Sequence, residues 1–439
     1  MDVTKMHSYI PQPVDFIIRR IMDNGGEAYI VGGAVRDMIL GRPVNDWDVA
    51  TSLKPEQVES LFSDMRTIPT GKKFGTVTVI VDDMPVEVTT FRGEDQYTDY
   101  RHPDNVTFVP DIKLDLSRRD FTINAIAYNP YQEPSIVDPM DGLTDIKNKL
   151  IRSVGVASCR FSEDPLRMMR AARFLAQLDF DMEKNTRDAI INNAPLILKI
   201  ASERIKDELD KLLMGDFPYK GLSFMFDVGL FKLIFSLPEN KAIDIDCLAP
   251  LKALNSYPRD IILRLAAIFN FAVIPSDIDD HDFIVQELRK VLRRLRYDKQ
   301  TIKHISNIVP NIRTIEFSQQ KDQLSYQLKK LVSQIGEDDA FRVVFIKEKM
   351  KSRKNKFKEN ASIDISDTLR QILNRKEPIY ISDLAITGHD LVKLGIGKNN
   401  PKIIGELLKL AQEWVLQCPR RNDAKYLLPR LQSIIDNGK

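Results

Sequence analysis

Asp46 and Asp48 stand one residue apart, just after Val31-Gly32-Gly33-Ala34-Val35-Arg36-Asp37. On an extended strand residues i and i+2 face the same way, so both carboxylates would share one side and Trp47 the other. Such a pair repels itself unless positive charge sits between. Hard oxygen ligands suit Mg²⁺, which keeps waters and takes substrate phosphates as further ligands. Gly32-Gly33 permits a tight turn and close backbone approach. Ala34 to Leu40 reads as a short helix stopped by Gly41. A helix N-terminus behind glycines favours anions, and Arg36 adds a guanidinium fork for phosphate. Metal ligands beside a phosphate cradle point to nucleotidyl transfer. Taken singly, the glycines are also an ordinary turn and the aspartates ordinary surface or capping residues. Glu87, within Val86-Glu87-Val88-Thr89-Thr90-Phe91-Arg92, sits in strand-like alternation. It is either the solvent-facing residue of a plain strand or a third acid that completes a two-metal site.

Two later stretches are dense in polar groups. In Arg118-Arg119-Asp120, followed by a predicted helix over Phe121–Ala127, Asp120 reads as an N-cap and the arginines as a solvated helix entrance. Alternatively the arginines hold a triphosphate, while Asp120 and Asn124, four apart on one helical face, reach a ribose hydroxyl. In Ser162 to Phe174, Pro165 suits the first turn of a helix with Asp164 as cap. Arg167, Arg170 and Arg173 recur every three residues, and Leu166, Met169 and Phe174 can face a core. This is a capped surface helix or a base reader. Cytosine and adenine both present an amino donor beside a ring-nitrogen acceptor, which a carboxylate and a guanidinium complement. Asp164 with Arg167 would therefore accept C or A, while G or U would leave buried polar groups mismatched.

These residues need a scaffold. An amphipathic lead-in helix spans Val14 to Met22, and strands are predicted over Ala28–Val31, Trp47–Thr51, Thr76–Val81 and Pro85–Phe91. A further helix is predicted over Lys54–Ser63. A polar and aromatic loop, Gly93 to Asp115, is longer than a compact connection needs and reads as functional. After about residue 150 helical periodicity runs to the end with few strand signals. The class is therefore α+β, a small mixed sheet followed by helices. The 439 residues allow roughly three domains or more. With 64 basic and 62 acidic residues the net charge is only +2, so nucleic acid would have to be bound by local patches. Leu288 to Tyr297 carries Arg289, Lys290, Arg293, Arg294 and Arg296 without an acid, and Lys349 to Lys358 carries six basic residues. Each is a solvated face or a track for an RNA backbone. Three scattered cysteines argue against a disulfide framework or zinc and fit a reducing cytoplasm. No apolar run is long enough to span a membrane, and no signal-peptide pattern opens the chain.

With those residues in view, the chain resembles the class II tRNA nucleotidyltransferases, the CCA-adding enzyme group that also includes bacterial poly(A) polymerases. The resemblance rests on Gly32 to Asp37 with Asp46 and Asp48, on Arg118-Arg119-Asp120 through Asn124-Ala125, on Asp138 to Arg152, on Glu163-Asp164-Pro165-Leu166-Arg167 through Phe174, and on Ser202 to Leu209. It implies a catalytic head (1–150), a nucleotide-reading neck (151–215), a helical body (216–345) and a helical, tRNA-binding tail (346–439). It implies that Asp46 and Asp48 bind Mg²⁺, with Glu87 as third carboxylate. It also implies that Gly32, Gly33 and Arg36 meet the nucleotide phosphates, and that Arg118, Arg119, Asp120 and Asn124 contact triphosphate or ribose. Asp164 and Arg167 would read the base, supported by Arg170 and Arg173. The expected reaction is template-independent addition of C, C and A to the 3′ end of tRNA from CTP and ATP. Rivals within the group are A-adding, CC-adding and poly(A)-synthesising enzymes. From outside it, a phosphohydrolase is suggested only by His389-Asp390 and His281-Asp282, and the chain has just five histidines. A non-catalytic RNA-binding module would have no use for three carboxylates around a phosphate cradle.

Overall fold

The computed structural model describes residues 3–69, 71–93, 107–237, 249–275, 277–354, 364–396 and 401–437. Most of the long loop after Gly93 and the end of the basic stretch after Lys354 lie outside the described residues. The chain divides into two compact units, Met1–Lys241 and Ala242–Lys439.

The first unit is built on a seven-stranded sheet. Helix α1 (Gln12–Asp23) precedes β1 (Ala28–Val31), α2 (Gly33–Ile39) and β2 (Asp48–Thr51). Then come α3 (Pro55–Leu61), β3 (Arg66–Ile68), β4 (Thr76–Val81) and β5 (Met84–Thr90). Helix α4 (Ile112–Ser117) leads to β6 (Ala127–Tyr128) and β7 (Ile136–Val137). The sheet order is β3-β4-β5-β2-β1-β6-β7. Every neighbouring pair is antiparallel except β2 with β5.

Local chemistry accounts for these elements. Val14, Ile17, Ile18 and Ile21 form the buried stripe of α1, the spacing of one helical face. The β4–β5 hairpin turns on Asp82 and Asp83, both at positive φ (49° and 61°), as a two-residue loop matching strand twist requires. Tyr29, Val31, Ala50, Phe91, Leu116, Ala125 and Ala127 form one buried cluster, which ties α4 and the chain before β6 to the sheet.

Two expectations change here. Only Asp48 lies within β2, and Asp46 precedes the strand in an exposed segment. Phe121–Ala127 is not a helix. A three-residue 3-10 turn, Thr122–Asn124, is followed directly by β6. The backbone on either side of Phe121 is taken up by another segment: Thr122 N–H donates to the Arg152 carbonyl (2.9 Å) and Val154 N–H to that of Asp120 (3.1 Å). Tertiary pairing thus overrides a helical pattern too short to stand alone.

Helices then dominate: α5 (Gly142–Lys147), α6 (Ala157–Glu163), α7 (Leu166–Leu178), α8 (Lys184–Asn193), α9 (Ser202–Leu213), α10 (Pro218–Asp227) and α11 (Leu230–Phe235), interrupted by the small strand pair β8 (Leu150–Ile151) and β9 (Asp181–Met182). The α7 helix is buried along most of its length and packs against α9 and α10. Gly221 makes the second contact possible. A Cβ there would stand 2.6 Å from the Ala172 carbonyl and 2.9 Å from the Ala176 methyl.

In the second unit the regular elements among the described residues are all helical. Its C-terminal part has its own core, from Leu384, Ile386 and Leu391 to Leu427 and Leu431.

Gly221→Ala should lower the stability of the first unit by about 1–3 kcal/mol, because backbone cannot yield as a flexible side chain can. A lower midpoint in thermal unfolding is expected, and an unchanged midpoint would show that α7 and α10 do not depend on this approach.

Candidate active site

Strand order sets the site. Val31, the last residue of β1, pairs with Asp48, the first of β2, and Asp48 pairs in parallel register with Glu87. Gly32 leaves β1 at φ 73°, a left-handed conformation suited to glycine. A Cβ on Gly32 would meet Arg119 Nη1 at 3.1 Å and Asp48 Oδ2 at 3.8 Å. One end of the sheet thus gathers the glycine turn, Asp48, Glu87 and the Arg119 guanidinium. In-register neighbours on adjacent strands share a face.

Electrostatics show how close the acids are. Burial pushes the Asp48 carboxyl up from its ordinary value, Arg119 pulls it down, and both Glu87 and Asp46 push it up again. Such excess negative charge is what a divalent cation would neutralise. Among the described residues no three His, Cys, Asp or Glu side chains form a ready-made metal cage. Mg²⁺ usually takes one or two carboxylates and completes its shell with waters and substrate phosphates. The donors are all oxygen, so the residues fit the metal.

The arginines are held in a buried ionic frame. Arg118 and Arg119 both clamp Asp115, with Nη2–Oδ distances of 2.5 and 3.0 Å. Burial pushes the Asp115 carboxyl up, but Arg119 and Arg118 outweigh it and hold the group at about 2. Arg36 is itself fully engaged. Its Nε and Nη2 donate to Asp37 at 2.9 Å each, and Nη1 donates to Asn124 Oδ1 at 2.8 Å. Asn124 in turn donates to Asp120 Oδ1 at 3.2 Å, and Arg170 Nε donates to Asp120 Oδ2 at 2.7 Å. Asp120 is a buried hub. Burial raises its carboxyl, while Arg170 with hydrogen bonds from Asn124 and the Phe121 N–H bring it down to about 2. Arg173 stands 3.2 Å from Glu208 of α9. Burial and the neighbouring charges of Arg170 and Arg36 lower its guanidinium to about 10, against the pull of Glu208 and Asp120. Arg36, Arg170 and Arg173 all approach the Phe174 ring, at 5.2, 5.6 and 4.6 Å from its centroid. Gly33 fits beneath Arg36, a Cβ there lying 3.5 Å from Nη2.

The two candidate base readers are each partnered. Asp164 caps the entry to α7 by accepting from Leu166 N–H (3.1 Å), and receives both guanidinium nitrogens of Arg204 (3.3 and 2.8 Å). Arg167 is bound by Glu163 (2.5 Å) and by the Arg160 carbonyl (2.9 Å). The two are linked through backbone, Arg167 N–H to the Asp164 carbonyl at 3.0 Å, rather than through their side chains.

Sequence reasoning missed Asp115, Glu163, Arg204 and Glu208 as members of this frame. Asp115 and Glu163 carried a signal, because they stand three to four residues before the arginines they hold. Arg204 and Glu208 come from α9 and carried none beyond their place in Ser202 to Leu209.

The two His-Asp pairs are surface features. Asp390 closes a capping box with Thr387, accepting its N–H at 2.9 Å, and His281-Asp282 is exposed at a helix start.

Comparison with known proteins gives the family. Residues 28–152 match the poly A polymerase head domain, and residues 179–243 match a probable RNA and SrmB-binding site of polymerase A. The chain is 33% identical over 421 residues to the CCA-adding enzyme of Streptococcus suis strain 05ZYH33, covering 96% of both. It is 48% identical over 223 residues to that of Geobacillus thermodenitrificans, 51% of this chain and 54% of the relative. The crystal structure of the Bacillus stearothermophilus CCA-adding enzyme in complex with CTP superposes with a TM-score of 0.73 at 28% identity, covering 98% of this chain and 100% of that one. The sheet and its carboxylate end define a nucleotidyltransferase. The chain belongs to the family of CCA-adding enzymes.

Asp115 and Asp120 bind protons more weakly folded, at about 2, than at their ordinary 3.8. Their contribution to stability is complete above pH ~4 and is lost as pH falls from there through ~2. The urea midpoint should fall over that range. Asp120→Asn should lower the midpoint at neutral pH and flatten the acid limb; parallel curves for variant and wild type would contradict this.

Proposed function

We propose that Asp46 and Asp48 hold Mg²⁺, with Glu87 as the third carboxylate beside them, where an incoming CTP or ATP meets the 3′ end of a tRNA. The observation that carries this reading is the parallel register of Asp48 with Glu87 beside the Gly32 turn and Arg119. The enzyme adds C, C and A to tRNA without a nucleic-acid template, using CTP and ATP and releasing pyrophosphate. In each addition the 3′-hydroxyl oxygen bonds to the α-phosphorus, the bond from that phosphorus to the bridging oxygen breaks, pyrophosphate leaves with that oxygen, and the hydroxyl's proton passes to Asp48 or Glu87 and on to solvent. Bound magnesium would lower the pKa of the hydroxyl and offset the charge on the triphosphate and departing pyrophosphate.

The chain's own residues position and compensate. Gly32 keeps the phosphate approach open, since any Cβ would crowd Arg119. Arg119, steadied by Asp115, presents Nη1 toward the carboxylate end, where a triphosphate's charge would sit. Arg118 is braced by the same Asp115. Arg36, Asn124, Asp120, Arg170 and Arg173 form the frame that sets the floor of the nucleotide site, while Asp164 and Arg167 read the base. Arg204 and Glu163 hold those two readers until a base competes for them. Cytosine or adenine offers each a complementary group in exchange, whereas guanine or uracil offers a mismatched one.

The division into head (1–150), neck (151–215), body (216–345) and tail (346–439) is proposed on the family pattern. It is supported by the sheet's end at Val137 and by the separate core after Leu384. The cytoplasm is proposed as the compartment. In support, Cys159 and Cys418 are free thiols, and no described helix is long and apolar enough to cross a membrane.

Asp46→Ala and Asp48→Asn should each cut nucleotide incorporation by roughly two orders of magnitude or more, because removing a ligand forfeits several kcal/mol of charge stabilisation. Binding of tRNA should persist, and chelation should silence the wild type until Mg²⁺ is restored. Wild-type turnover in either variant would refute the metal assignment. Arg167→Ala should reduce the preference for CTP and ATP over UTP and GTP on the order of tenfold. Selectivity equal to wild type would remove the base-reading role.

A further inference from the structure

Glu163 ends α6 and is shared by two buried arginines, Arg160 and Arg167. They hold it unequally. Arg160 Nη1 donates to both carboxylate oxygens, at 3.1 and 3.0 Å, whereas Arg167 Nη1 reaches only Oε2, at 2.5 Å. Arg160 is anchored a second time, because its Nη2 donates to the Ser117 carbonyl at 2.9 Å. Ser117 closes α4, directly before Arg118 and Arg119. The backbone carbonyl of Arg160 in turn accepts from Arg167 Nη1 at 2.9 Å.

With Arg167 as its only cation, Glu163 would be stranded whenever Arg167 turned to a base. Its side chain is only 23% exposed, so water would compensate it poorly. Gripped by Arg160 on both oxygens, the carboxylate stays neutralised when Arg167 leaves. Arg160 cannot follow, since the Ser117 carbonyl holds its other nitrogen. A plain strut between α6 and α4 would need only the bond to Ser117. It would have no need of a carboxylate that the neighbouring arginine also uses.

We propose that Arg160 is a specificity-determining positioning residue: it stays on Glu163 as a standing counter-charge, so that Arg167 can exchange Glu163 for cytosine or adenine at low cost. The inference rests on the reading of Arg167 as a base reader. Guanine and uracil present an N–H where Arg167 needs an acceptor, so they leave Arg167 on Glu163 and gain nothing from Arg160. The effect of Arg160 therefore falls on the cognate nucleotides. The base does not react, so its contacts count equally in the ground and transition states. Arg160 thus acts on KM and not on kcat.

The test uses the full chain carrying Arg160→Gln, assayed with CTP and with UTP on a tRNA that lacks its CCA end. The expected result is a KM for CTP raised about tenfold, with kcat for CTP and KM for UTP unchanged. Adding Glu163→Gln removes the charge that would be stranded, so the double variant should recover a KM for CTP close to wild type. A loss of structure would not be repaired in this way. Arg160→Lys keeps a cation beside Glu163 and should fall between Arg160→Gln and wild type. If Arg160→Gln does not fold, Arg160→Lys with and without Glu163→Gln gives the same comparison. A wild-type KM for CTP in the Arg160 variant would overturn the proposal, as would an equal change for CTP and UTP, or no recovery in the double variant. Arg167→Ala is assayed in parallel. Wild-type selectivity there removes the base reader and this role with it, whereas lost selectivity there beside wild-type behaviour in Arg160→Gln removes the role of Arg160 alone.

Discussion

The single parallel pairing in the head sheet, β2 against β5, is the constraint on which the proposed chemistry depends. It puts Asp48 beside Glu87 in register, while the antiparallel pairing of β1 with β2 brings the end of β1, and hence Gly32, to the same edge. Each of those placements would be lost by a slip of one residue, which would send the acids to the opposite face. At β5, which carries Glu87, a slip is resisted because β4 and β5 alternate between more and less buried residues. Stability and the proposed catalytic geometry thus share one register.

Concentrating acid at one edge raises the question of what keeps the surrounding cations in place. The answer is a second layer of charge, buried and almost fully matched. Asp115 secures two arginines, and Asp120 ties Arg170 to Asn124 and, through it, to Arg36. Phe174 supplies an aromatic face to three guanidiniums at once. A buried ion pair is weak evidence for added stability, because desolvation offsets much of its Coulomb gain. Its value here is positional. Removing any one partner strands a charge in a poorly hydrated interior, so the frame holds its geometry.

The same logic gives the proposed base readers a resting state. Asp164 and Arg167 do not wait unpaired in a dry pocket. They are bound to Arg204 and Glu163, so in the proposed reading recognition would exchange one set of charge-assisted hydrogen bonds for another. Discrimination then depends on the difference between two satisfied states, which a mismatched base cannot reach.

Much of this was legible in the chain itself. The glycine pair, the spacing of Asp46 and Asp48, the alternation around Glu87 and the three-residue recurrence of Arg167, Arg170 and Arg173 are local patterns, and local patterns survive without knowledge of the fold. The four principal strands and the lead-in helix were readable for the same reason, since burial periodicity is written into neighbouring residues. What stayed hidden was set by contacts across long separations. The stretch after Asp120 reads as a helix until the backbone near Arg152 and Val154 claims its hydrogen bonds. Arg36 reads as a phosphate fork until Asn124, 88 residues away, accepts from it. Arg204 meets Asp164 across 40 residues, a separation at which no spacing rule operates. Sequence alone determined which chemical groups exist and, for the four principal strands and the lead-in helix, which elements carry them. Only the tertiary structure decided which of those groups are already partnered, because charge pairing at close range depends on position in space and not on order along the chain.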